Sequence, residues 1–139
     1  MAQNTSPIFS LTANITVGKT IATANTAKDG TGTVVLVHTA GANGSRISGI
    51  VFRAAGTNVA TVARIFLNNG SDPTTATNNS LIGEITLSAT TLSEVAALAT
   101  YVWVPDIQNF YIPSGYKLNV TIGTTVSAGY AVTCVAADY

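Results

Sequence analysis

Residues 29–70, DGTGTVVLVHTAGANGSRISGIVFRAAGTNVATVARIFLNNG, hold three apolar, β-branched runs cut by four turn signals. The breaks at Asp29-Gly30, Asn43-Gly44, Gly56-Thr57-Asn58 and Asn69-Gly70 recur roughly every 12 to 14 residues, close to the spacing of sandwiches and barrels. Thr33–Thr39 and Ile47–Ala54 suit a pleated, half-buried surface better than a helix, and both are expected as strands. In Thr61–Asn68, Ala63, Ile65 and Leu67 alternate with Val62, Arg64 and Phe66, so both faces of that strand should meet something.

The same reading extends outward. Leu81–Leu87 is a strand with Gly83 as a candidate bulge. Tyr116–Ile122 alternates most cleanly, which turns Tyr116, Leu118, Val120 and Ile122 to the core and Lys117, Asn119 and Thr121 to water or a neighbour. Pro113-Ser-Gly115 turns into that strand, and Gly123–Gly129 leads to a last strand over Tyr130–Ala136. Leu92–Ala99 has helical composition between strand residues; a strand over Val95–Val104 is favoured, with a one-turn helix near Thr91 as the alternative. Thr20–Ala27 lacks a periodic apolar face and reads as a loop or an arm ordered by contact. The expected fold is all-β: one antiparallel β-sandwich over residues 31–139, jelly-roll-like, with about eight strands and an N-terminal arm over residues 1–30.

Composition narrows the chemistry. Charged residues make up 9% of the 139-residue chain and balance at a formal net charge of zero, against about a quarter in an average soluble protein. Lys19, Lys28, Arg46, Arg53, Arg64 and Lys117 are too scattered for a phosphate-tracking patch, so nucleic acid is not expected as a partner. Weak repulsion between copies points to a surface covered in an assembly. The first residues, MAQNTSPIFSLTANITV, have neither the basic segment nor the apolar stretch of a signal peptide or membrane span, so a cytosol-like compartment and no membrane partner are expected. The Asn-x-Ser/Thr triplets follow from composition, and no glycan is expected.

Catalytic groups are sparse. Asp29, Asp72, Glu84, Glu94, Asp106 and Asp138 occur singly, mostly at turn positions. His38, the one histidine, reads as a satisfied or exposed strand-end residue, and Cys134, the one cysteine, as a small buried hydrophobe. No catalytic residue, cofactor or metal site is expected: Asn68, Asn69, Ser71 and Asp72 offer loop oxygens, but one carboxylate is little charge for calcium, and turn chemistry explains them. Tyr101, Trp103, Phe110, Tyr111 and Tyr116 fit core or subunit-interface packing better than sugar stacking.

The stretch from Thr20 to Gly70 resembles a group of small structural proteins of tailed bacteriophages. The matching phrases are Thr26-Ala-Lys-Asp-Gly-Thr-Gly32, Thr39-Ala-Gly-Ala-Asn-Gly-Ser45, Ala55-Gly-Thr-Asn-Val-Ala-Thr-Val62 and Arg64-Ile-Phe-Leu-Asn-Asn-Gly70. The second half is similar more loosely, at Leu81–Leu87 and Ile112–Leu118. The resemblance implies a virion component made in the host cytoplasm: a cement or decoration protein that trimerises on the capsid exterior and ties major capsid proteins together. In a closed three-fold ring of that kind, Phe66, Tyr101, Trp103 and Tyr130 are the expected interface anchors. Two other roles stay open: a tail or baseplate component, such as a glycan-binding receptor module, and a small glycan hydrolase built on an acid pair assembled by the fold.

Overall fold

The computed structural model describes residues 9–139. Nine strands run in chain order: β1 Thr12–Ile21, β2 Val35–Thr39, β3 Ser45–Ala54, β4 Thr61–Asn68, β5 Asn79–Leu87, β6 Thr100–Trp103, β7 Tyr111–Ile112, β8 Lys117–Ile122 and β9 Tyr130–Asp138. A single 3₁₀ turn at Ala76–Asn78 precedes β5, and no helix among the described residues is long and apolar enough to cross a membrane. The strands form two antiparallel sheets packed face to face, an all-β sandwich. One has the order β1-β9-β3-β6, with β7 also on β3; the other has the order β2-β8-β4-β5.

Pairing is nested. β1 pairs with β9, β2 with β8, β3 with β6 and β4 with β5, so the chain folds back on itself around the 69–78 connection. Period-two alternation then fills the space between the sheets. Ile47, Ile50 and Phe52 of β3 and Tyr130, Val132, Cys134 and Ala136 of β9 meet Ala63 and Ile65 of β4 and Leu118, Val120 and Ile122 of β8 in one buried cluster.

The segment expected as an arm is largely built into the sandwich. From Thr12 to Ile21 it is an edge strand, with Asn14 opposite Ala136 and Ile21 opposite Tyr130, interrupted by a bulge between Thr16 and Lys19. Leu11, Ile15, Val17 and Ile21 keep a period of two in sequence, but the bulge changes the face, so Leu11, Ile15 and Val17 are exposed while Ile21 is buried. Residues 1–8 of the expected arm lie outside the described residues.

Asn119 and Thr121, expected to face water or a neighbour, are buried within the chain, as are Phe66 and Asn68 beside them on the face of β4 and β8 turned away from the other sheet. The β1–β2 connection packs against this sheet. Asn25 donates its backbone N–H to the Ile122 carbonyl at 2.7 Å, and its side-chain amide ties the connection together through the Thr31 and Thr33 carbonyls. Gly30 is buried against Asn79, so close that a Cβ on it would lie 2.6 Å from the Asn79 Cβ. Sequence alternation gives the two faces of a strand; it is silent about a loop that returns to cover one of them.

The expected strand over Val95–Val104 shortens to Thr100–Trp103. Leu92–Ala99 is irregular, and Ser93 Oγ accepts the amides of Val95 and Ala96 where the alternative placed a helical turn.

Candidate functional site

Three of the four residues expected as interface anchors are used up inside the protomer. Phe66, Trp103 and Tyr130 are buried, which corrects their assignment to a contact between chains. Trp103 points from β6 across the sandwich and rests on Gly83 of β5, where a Cβ would sit 2.2 Å from the indole Nε1. Tyr130 meets Tyr101 edge-on at 6.4 Å, and both hydroxyls donate to the Ser88 carbonyl, at 3.4 and 3.3 Å. Tyr101 is half-buried, so it alone keeps an exposed edge. Aromatic residues alternating with valine look alike in a core and at an interface, and burial separates the two.

The ionisable groups are engaged or isolated. Cys134 is fully buried, and desolvation pushes its thiol up to about 12, so the residue behaves as the small hydrophobe expected from the sequence. His38 is neither exposed nor satisfied: it sits buried within β2, and neither ring nitrogen has a hydrogen-bond partner. Desolvation holds its pKa below the ordinary histidine value, against the pull of the Asp138 carboxylate. Asp138 itself accepts from Ser45 Oγ and from Asn14 Nδ2, the latter at 2.9 Å. Partial burial works to raise its pKa, but these bonds win and lower it. Arg64 Nε bonds Glu84 Oε1 at 2.8 Å. In the 68–74 turn, Asn68, Asn69 and Asp72 each accept the amide two residues on, the local turn chemistry expected of them. Among the described residues no three of His, Cys, Asp and Glu gather at metal-binding range.

What the strands assemble instead is a surface. On the outward face of the five-stranded sheet, cross-strand registers line up rows of side chains. One row runs from Val104 over Gly49 and Val135 to Ile15, and the next joins Val102, Val51 and Thr133. The side chains at the two ends of these rows stand clear of the protein. Leu11, Ile15 and Val17 are 83%, 52% and 74% exposed along the β1 edge, and Val102 and Val104 are 51% and 58% exposed along β6. Val51, Thr133 and Val135, between them, are half-buried and form a shallow trough. Arg46 and Arg53 flank the apolar rows, both exposed and neither paired with a described carboxylate. The exposed apolar side chains thus form two strips, one along each end of the sheet, joined by half-buried residues.

The expected anchors are aromatic, whereas the exposed apolar residues are aliphatic and lie partly on a strand that the sequence presents as an arm. Their signal was the run Leu11, Ile15, Val17 in an otherwise polar stretch. Comparison with protein-family models, with curated proteins and with solved structures finds no match to this chain.

Proposed function

We propose that this protein is a non-enzymatic structural component of a bacteriophage particle: a cement or decoration protein that trimerises on the outer capsid surface and stabilises contacts between major capsid proteins. The observation that carries the reading is the apolar outward face of the five-stranded sheet. An extended face of this kind, on a chain with few charges, is what a part made to be covered by other proteins should carry.

Two further features support it. Four nested antiparallel pairs, distributed as β1-β9-β3-β6 facing β2-β8-β4-β5, are what a long folded strip gives when rolled into a jelly roll, an architecture recurrent in viral capsid and lectin domains. That is an argument from fold analogy. Sequence resemblance to phage structural proteins points the same way.

Gold labelling of the protein in intact particles tests the reading, since shell and tail are separable by electron microscopy. Label over the shell, with light scattering at about three times the 14.2 kDa chain mass, is the expected result. Label confined to the tail would transfer the assignment to the second reading, a baseplate or receptor-binding component. That reading would draw on exposed Tyr111, which lies 5.6 Å from Tyr139 as an aromatic pair.

A further inference from the structure

Edge strands β1 and β2 face each other across the seam between the two sheets, and that seam is polar. Asn14, Thr16 and Lys19 of β1 and Val37 and His38 of β2 wall a hollow of about 270 Å³. The bulge between Leu36 and His38 turns two consecutive residues, Val37 and His38, inward, and seats the imidazole opposite Leu118 with both nitrogens unpartnered. Asn14 is the clasp across the seam: its Nδ2 donates to Asp138 Oδ2 of β9 at 2.9 Å and to the Thr39 carbonyl of β2 at 3.4 Å.

We propose that acid opens this seam: charging His38 releases β1 from β2 and from β9 while the rest of the sandwich stays folded. A charged imidazole donates from both nitrogens, and here neither finds an acceptor. Lys19, on the opposite wall of the hollow, is paired with no described carboxylate, so charging His38 sets two cations across the seam. Asp138 is the carboxylate that pulls on His38, but its oxygens already accept from Ser45 Oγ, from the Gly41 N–H at 3.4 Å and from Asn14. Turning it toward an imidazolium gives up Asn14, which is the clasp. The other elements offer no competing charge. From β8 the imidazole faces Leu118, while Lys117 sends its ammonium to the Gly70 carbonyl at 3.2 Å; β3 supplies the Ser45 hydroxyl, and its Arg46 is exposed. β1 is the element that yields, because it is an edge strand bonded on one side and interrupted by a bulge, whereas β2 anchors Val37 in the core. The release needs no assumption about where in a particle the protein sits.

Hydrogen exchange of the full chain, followed by mass spectrometry at pH 7 and pH 5 with the chemical pH dependence of exchange divided out, tests this. A histidine that stays neutral in the closed seam and titrates near 6.5 once released should raise the open fraction of β1 by up to about 25-fold between those two pH values. The rise should appear in the amides of residues 12–21, with those of β4 and β5 unchanged. Asp138 keeps its charge over this range, because its hydrogen bonds hold it below the usual carboxylate value. His38→Gln should abolish the rise, with His38→Leu in its place should the glutamine chain fail to fold by circular dichroism. An equal rise in β4 and β5 means unfolding of the whole sandwich and overturns the inference. So does β1 exchange that is the same at both pH values, or a rise that persists without the histidine. None of these results bears on gold label over the shell, so the functional reading stands or falls separately.

Discussion

Replacing Gly83 by alanine should cost this protein about 3 kcal/mol, the upper end of what overpacking a core usually costs. The new Cβ would lie 2.2 Å from Trp103 Nε1, 2.6 Å from Cε2 and 2.9 Å from Cζ2, where ordinary contact begins near 3.4 Å. Relief requires the indole to shift by about 1 Å, and its surroundings resist. The Trp103 backbone is paired to Ile50, its carbonyl presses on Gly49, and the ring is buried among core residues. For a domain of this size 3 kcal/mol corresponds to roughly 10 °C in melting temperature. Urea unfolding followed by fluorescence is a direct assay, because Trp103 is the one tryptophan. The decisive measurement is a double-mutant cycle with Trp103→Phe, which deletes the indole atoms that clash: the cost of Gly83→Ala should fall by at least about 1.5 kcal/mol in that background. A cost below about 0.5 kcal/mol in the wild type, or an equal cost in both backgrounds, would refute the argument.

Three further outcomes are expected. His38 is held neutral by burial, so its folded-state pKa lies below the unfolded value near 6.5; stability should be fully present above pH 6.5 and decline as pH falls below it, at up to ~1.4 kcal/mol per pH unit, and a His38→Leu chain should show no such decline between pH 7 and 5 in urea titrations. Asn58 is buried, donates to the Gly129 carbonyl at 2.9 Å and accepts the Ala128 and Gly129 amides at 2.8 and 3.0 Å, so Asn58→Leu should lose about 2–4 kcal/mol by stranding those backbone groups, with the loss read from chemical denaturation. Cys134 should resist a thiol-reactive dye at pH 8 in the native protein and react only at the rate of unfolding; labelling within seconds of mixing would contradict its burial.

Much of the architecture could be read from the chain because turn chemistry and alternation are local. The Asn69-Gly70 turn signal, the strand over Thr61–Asn68 and the core-facing set Leu118, Val120 and Ile122 all appear where those rules place them. Phe66 beside Ile65, both fully buried, matches the reading that each face of β4 meets something. The losses came where a residue's fate is set by a distant segment. Asn119 and Thr121 look solvent-facing until the β1–β2 connection packs against their sheet, and β1 looks like an arm until β9 pairs with it. The surface was harder still: whether Trp103 or Val104 is outside depends on which of two consecutive residues the pleat turns inward, and composition favours the aromatic for either place.

Nested pairing also sets the order in which this surface can exist. β4 and β5 join across a short connection, whereas β1 meets β9 only after nearly the whole chain has been threaded, and closing that long loop is worthwhile only when the inner pairs are in place. The exposed apolar edge along β1 is therefore a late product of folding. A chain still on the ribosome, or one stalled halfway, has not yet laid Ile15 beside Val135, so the exposed edge along β1 belongs to completed molecules alone.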